Sequence, residues 1–156
     1  MDMLTRSSPE VRQEAAAFQA IVDKYQLIFD HDPRRLYPVG KMDWPPPGWV
    51  PLVERLIARL IKLGWNRRLA QVKEKFGGLR FYVGDASPAV HAAITRAEAR
   101  SYRTCDRCGK PGRQREEEGT AVRCETHRNL DGKPLTIKLV ASSRPSAASH
   151  LRRRKP

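Results

Sequence analysis

The chain has 156 residues, with 30 lysines and arginines against 17 acids, a formal net charge of +13 and a pI near 10.3. That length fits one main domain with a small appended unit, and the charge makes a polyanion the leading class of partner, nucleic acid or another anionic surface. MDMLTRSSPE has no apolar run, and residues 49–64, the longest apolar-rich stretch, are interrupted by Glu54, Arg55, Arg59 and Lys62. Neither a secretory signal nor a membrane span is predicted, and the expected location is the cytoplasm.

Ser7-Ser8-Pro9-Glu10 opens the first predicted helix, with a hydroxyl cap and a proline in the first turn. Val11, Ala15, Phe18, Ile21, Val22, Tyr25 and Ile28 keep helical spacing, which predicts a helix to about Phe29 and an N-terminal unit over residues 1–32. Residues 33–48 read as an irregular link ending in Trp44-Pro45-Pro46-Pro47-Gly48, an extended run that serves either as a strap across the domain's own core or as a docking motif.

The next helix is predicted over about 49–63. Leu52, Val53, Leu56, Ile57, Leu60, Ile61 and Leu63 form its apolar stripe, Arg55, Arg59 and Lys62 line the other face, and Gly64 ends it. A hairpin follows, with strands 69–76 and 79–83 around a Gly77-Gly78 turn. Leu79, Phe81 and Val83 share one face of its second strand. On the first strand Ala70, Val72, Glu74 and Phe76 share a face, opposite Gln71, Lys73 and Lys75. Glu74 thus falls among apolar side chains, where it needs Arg80 or a lysine as partner unless a bulge turns it outward, and it is a candidate site residue.

Ser87-Pro88 starts a third helix to about residue 102, with Ala89, Val90, Ala93, Ile94 and Ala97 inward and Arg96, Arg100 and Arg103 as a second basic row. Residues 33–104 thus form an α+β core. Pro111-Gly112 and Arg113–Gly119 predict a short exposed hairpin. Asp131-Gly132 predicts a turn before a strand over Leu135–Val140, and residues 142–156 a disordered basic tail carrying Arg152, Arg153 and Arg154.

All three cysteines join one histidine in a single pattern: Cys105-x2-Cys108, fifteen residues, then Cys124-x2-His127. Two short-spaced pairs of sulfur and nitrogen donors are what a tetrahedral zinc ion takes, and four protein ligands close the shell, so one structural Zn2+ is expected within a unit at residues 105–141. Gly109, directly after the first pair, suits a tight knuckle turn. Three thiolates and Zn2+ leave the shell at about −1, a charge that Arg107, Lys110, Arg123 and Arg128 can compensate.

Gly48-Trp49, KEKFGGLRFYV (73–83), CDRCGKPG (105–112) and CETH (124–127), in this order, resemble a family of small bacterial and bacteriophage proteins to which no activity is attached. The resemblance covers roughly residues 45–130. It implies a helix, a KEKFG-x-LR-x-Y hairpin, a helix and a zinc knuckle closed by a second C-x2-C or C-x2-H pair. The aromatic that such proteins carry just before the second pair is replaced here by Thr120-Ala121-Val122.

The expected fold is therefore α+β: a small helical and β-hairpin domain with a zinc-ribbon or treble-clef-like unit. Three functions are open. A zinc-stabilised, non-catalytic nucleic-acid-binding or regulatory protein is favoured by the basic body, by the tail and by Phe81, Tyr82 and Tyr102 interleaved with cations. Its contact candidates are Arg55, Arg59, Lys62, Lys73, Lys75, Arg96, Arg100, Arg103, Arg152, Arg153 and Arg154, meeting DNA or RNA. A protein-interaction module (inhibitor, immunity or adaptor protein) would use the same charge on an acidic partner. A Mg2+-dependent nuclease would use Gln71-Val72-Lys73, but its required upstream acid is poorly supplied: Asp43 sits beside the prolines and on no recognisable strand. His31, His91 and His150 read as surface or capping residues.

Overall fold

The computed structural model describes residues 9–29, 44–115 and 121–128, with the backbone alone for residues 9–14. The predicted cap at Ser7 and Ser8, the link over 33–43 with Asp43, the loop 116–119, the turn at Asp131-Gly132, the strand over 135–140 and the tail with Arg152, Arg153 and Arg154 lie outside them. The architecture is mixed α+β. Helix α1 (Pro9–Tyr25) leads into a two-residue strand β1 (Ile28–Phe29). A 3-10 turn (Pro47–Trp49) opens α2 (Val50–Lys62). Strands β2 (Arg68–Lys75) and β3 (Gly78–Val83) then precede α3 (Pro88–Ser101), and a small hairpin β4 (Arg113–Arg115) and β5 (Ala121–Arg123) follows.

Both α1 and α2 end in the same backbone motif, and one of the two endings is legible in sequence. At the end of α2 the N–H of Gly64 donates to Ile61 O at 3.0 Å and that of Trp65 to Leu60 O at 3.0 Å, with Gly64 at φ 83°. This is a Schellman cap, which glycine adopts without a Cβ penalty. Trp65 then turns into the core and meets Phe81 edge to face at 5.9 Å. Helix α1 closes identically, Gln26 N to Asp23 O at 3.3 Å and Leu27 N to Val22 O at 3.0 Å, but the left-handed residue is Gln26 at φ 52°. The helix predicted to Phe29 therefore stops at Tyr25. Ile28 and Phe29 instead pair in parallel with Arg68 and Leu69, which leaves Ile28 half exposed.

The main sheet runs β1-β2-β3, parallel then antiparallel. Its turn differs by one residue from the prediction: Lys75 pairs with Gly78, so the two central residues are Phe76 (φ 53°) and Gly77 (φ 76°). Positive φ at both is the requirement of the hairpin turn that matches strand twist. Gly78 belongs to β3 for a different reason: a Cβ there would collide with the Tyr102 ring that crosses it. A bulge between Leu69 and Gln71 sets the buried residues of β2 at Leu69 and Val72, so Ala70 is only half buried.

Helix α3 is capped by Ser87, whose Oγ accepts from Val90 N at 3.3 Å, with Pro88 in its first turn. Val90, Ala93, Ile94, Ala97 and Ser101 are buried, whereas Ala89, predicted inward, is exposed because it sits in the unpacked first turn. The helix lies along the free edge of β3. Leu79 N donates to Ser101 Oγ at 2.9 Å and Phe81 N to Glu98 Oε1 at 3.1 Å, so the N–H groups of an edge strand are satisfied by helix side chains.

The core joins Phe18, Ile21, Val22 and Leu27 to the α2 stripe, to Leu69, Val72, Leu79 and Phe81 of the sheet, and to Val122 of β5. The proline run is a strap on this core: Pro45 and Trp49 are fully buried, and Trp44 meets Phe18 edge to face at 6.3 Å. Lys24 and Glu54, 2.7 Å apart, tie α1 to α2 at the surface. That hydrogen bond holds the Glu54 carboxyl below its ordinary value. The contribution of the pair is therefore present above the ordinary carboxylate pKa and lost as the pH falls through the lowered one.

Candidate metal centre and cationic surfaces

Cys105 and Cys108 flank a tight knuckle. Gly109 N donates to Cys105 O at 2.9 Å and Cys105 N to Lys110 O at 2.8 Å, with Gly109 in the left-handed region at φ 73°. The second pair lies on a 3-10 turn (Glu125–His127) directly after β5, where His127 N donates to Cys124 O at 3.2 Å. The chain folds back through β4 and β5, whose register Arg113↔Arg123 places Cys124 beside the knuckle.

The four donor atoms lie within 4.8 Å of one another and can hold one metal ion. Cys108 Sγ and Cys124 Sγ are 3.7 Å apart, and His127 Nδ1 stands 3.7 Å from Cys105 Sγ and 3.4 Å from Cys124 Sγ. Bond lengths of about 2.3 Å to sulfur and 2.0–2.1 Å to nitrogen at tetrahedral angles demand edges of about 3.8 Å between sulfurs and 3.6 Å between sulfur and nitrogen. These three separations match such edges to within about 0.2 Å, and all four donors lie close enough together to share one ion.

The thiols are not equivalent. Burial pushes Cys124 up, but the His127 backbone N–H, the His127 side chain and the other two cysteines outweigh it and bring the thiol down to about 6. For Cys108 a backbone hydrogen bond at Lys110 favours the thiolate, yet burial and the neighbouring sulfurs prevail and push it up. A lowered Cys124 beside a raised Cys108 is what crowding like charges produces. A divalent cation would relieve that repulsion.

The knuckle is built into the core. Gly48 N donates to Asp106 O at 2.8 Å, Asp106 N to Val122 O at 2.9 Å, and the buried Trp49 indole Nε1 to Thr104 O at 2.7 Å. Gly48 is pressed so closely on the knuckle that a Cβ would collide with Cys105 O and stand 2.7 Å from both Asp106 C and Cys108 N. Between the two cysteines Asp106 is buried and meets the buried Arg123 of β5, Oδ1 to Nε, at 2.7 Å. The contact is ionic, since the N–H does not point along it. Burial pushes the Asp106 carboxyl up, and Arg123 and Arg107 offset only part of that. Sequence reasoning missed both this pair and the seat of Gly48. The available signals were an acid inside C-x2-C and a glycine after three prolines.

Of the arginines expected to offset the metal shell, Arg123 is committed to Asp106, and Arg128 to Glu125 at 3.2 Å. Glu125 also takes Arg115 at 2.7 Å and Arg113 at 3.6 Å. The Arg115 hydrogen bond, with the other two cations, holds its carboxyl below the ordinary value.

Glu74 is exposed, at the end of β2 where the core face runs out. Its carboxylate accepts from the Gly77 backbone N–H at 2.6 Å, so it braces the turn and is not paired with Arg80. Arg80 instead donates to Tyr102 Oη at 3.0 Å and Leu79 O at 2.8 Å. Glu74→Ala is expected to cost about 1 kcal/mol in urea unfolding, the value of one exposed hydrogen bond; a loss of about 3 kcal/mol would mean a buried charge pair instead.

The two basic rows stand on separate helices, Arg55, Arg59 and Lys62 on α2 and Arg96 and Arg100 on α3 with Arg103 just beyond its end, and all six side chains are exposed. On the hairpin Lys75 is exposed and Lys73 half buried. Of the interleaved aromatics Phe81 is buried and Tyr102 half buried, while Tyr82 is 41% exposed. His91 is exposed on α3. Among the described residues, no helix is long and apolar enough to cross a membrane. Comparison with protein-family models, with curated protein sequences and with solved structures returns no match.

Proposed function

We propose that this chain is a zinc-stabilised protein that binds nucleic acid without catalysing a reaction on it. Three sulfurs and one imidazole nitrogen in a tetrahedron are the donor set that zinc takes in structural sites. The ion, when bound, supplies a cross-link between the knuckle and the turn after β5. Knuckle, hairpin and a helical turn bearing the second pair, in that order, make a treble-clef-like reading preferable to a ribbon. All four protein donors are spent on the shell, which leaves no open position for substrate.

The observation that carries the binding half of the proposal is the pair of exposed cationic rows. Among the described residues neither row has an ion-pair partner at its side chains. Cations left to solvent in a chain of net charge +13 favour phosphates, whose neutralisation releases counterions. Affinity for a mixed-sequence duplex or an oligothymidylate is expected to fall steeply across a salt series. Charge reversal of Arg55, Arg59 and Lys62, or of Arg96, Arg100 and Arg103, should flatten that slope. Removal of residues 144–156 should weaken binding without abolishing it. No binding of either probe at about 50 mM salt, where the electrostatic drive is strong, would overturn the reading and move an acidic protein partner to the front.

A further inference from the structure

The outer face of the β2–β3 hairpin combines cations with rings in a way that the helix rows do not. Cross-strand pairing sets Gln71 opposite Tyr82, Lys73 opposite Arg80 and Lys75 opposite Gly78. Directly opposed residues share a face, so this surface carries Lys73, Lys75, Arg80 and Tyr82 and no carboxylate from either strand. The ring of Tyr102 crosses it at Gly78 and is held by Arg80. Tyr82 is 41% exposed, with Lys73 Nζ at 5.9 Å from its centroid. At the tip Phe76 is 68% exposed, held out by a left-handed backbone at φ 53°, with Lys75 Nζ at 5.4 Å from its ring. Large rings exposed beside cations gain little from water and much from a flat π-surface that arrives with negative charge.

We infer that this face is a seat for single-stranded nucleic acid, bases stacking on Tyr82 and Phe76 while Lys73 and Lys75 meet phosphates. The inference rests on the nucleic-acid reading above and narrows it. A duplex keeps its bases stacked inside and offers the rings nothing. The hairpin is also unable to enter a major groove as a free ribbon, because its other face is core and the β3 edge is covered by Ser101 and Glu98 of α3. From Gln71 to Lys75 the strand rises about 13 Å, room for the two or three bases that a sheet-borne aromatic platform takes.

The test uses the full metal-loaded chain, fluorescence anisotropy and two probes, a labelled oligothymidylate and a labelled mixed-sequence duplex. Tyr82→Ala should weaken oligothymidylate binding about tenfold and leave duplex binding unchanged. Tyr82→Phe, which keeps the ring, should bind within about twofold of the parent. Joint Lys73→Gln and Lys75→Gln should weaken the oligothymidylate and reduce its salt slope by about 1.4, with circular dichroism confirming the fold of each variant. Tyr82→Ala binding the oligothymidylate like the parent, while the helix-row reversals still weaken both probes, overturns the hairpin seat and leaves the general reading standing. Failure of the parent to bind either probe overturns both.

Discussion

Gly48→Ala is expected to destabilise the protein by on the order of 3 kcal/mol or more and to weaken metal binding in the same molecule. The new Cβ would enter the backbone of Cys105, Asp106 and Cys108, and Gly109 on the far side already approaches Gly48 O so closely that its own Cβ would stand at 2.8 Å. Backbone gives way far less readily than the end of a flexible side chain, so the usual cost of overpacking is a lower bound. Relief requires the proline strap to lift off the knuckle, which breaks the Gly48–Asp106 hydrogen bond and opens the donor set. Gly64→Ala is the control. Its Cβ meets nothing, and only the positive φ opposes it, so about 1 kcal/mol and unchanged metal affinity are expected. Urea unfolding and a competitive metal titration check both. Equal effects of the two substitutions would show that the packing of strap on knuckle is not what Gly48 serves.

Cys108→Ser should abolish stoichiometric metal binding and lower stability by on the order of 5 kcal/mol, because binding energy at a structural site is folding energy. The loss should be local first. Amides of residues 105–115 and 121–127 are expected to lose hydrogen-exchange protection, while Leu56, Ile57 and Leu60 of α2, which pack in the main core, stay protected. A chelator should reproduce the pattern in the parent chain. Unchanged protection after chelation would mean that the knuckle is held by Asp106, Arg123 and the Gly48 contact alone.

The parts of this fold that were legible in sequence are those encoded within a few residues. The four candidate metal-binding residues stood out because their spacing is a local property, and the end of α2 because Gly64 announces a left-handed residue. The equivalent end of α1 was hidden, since Gln26 performs the same turn without glycine and the apolar periodicity continues through Ile28. The hairpin turn was ambiguous for a reason that lies outside it. Gly77 is glycine for its φ and Gly78 for the approach of Tyr102, twenty-four positions later, and local patterning cannot divide those roles. The alternation of β2 sets Glu74 among apolar side chains and leaves open whether it is buried; it is exposed because the core stops before the strand does. The seat of Gly48 on the knuckle and the Asp106–Arg123 pair are tertiary facts, invisible until the chain folds back.

The most direct measurement is metal analysis joined to X-ray absorption on freshly purified, folded protein. One zinc per chain is expected, bound by three sulfurs at about 2.3 Å and one nitrogen at about 2.0–2.1 Å, with the spectrum of the Cys108→Ser variant losing that signature. Folded protein that carries no metal, or in which Cys108 and Cys124 are joined as a disulfide, would contradict it.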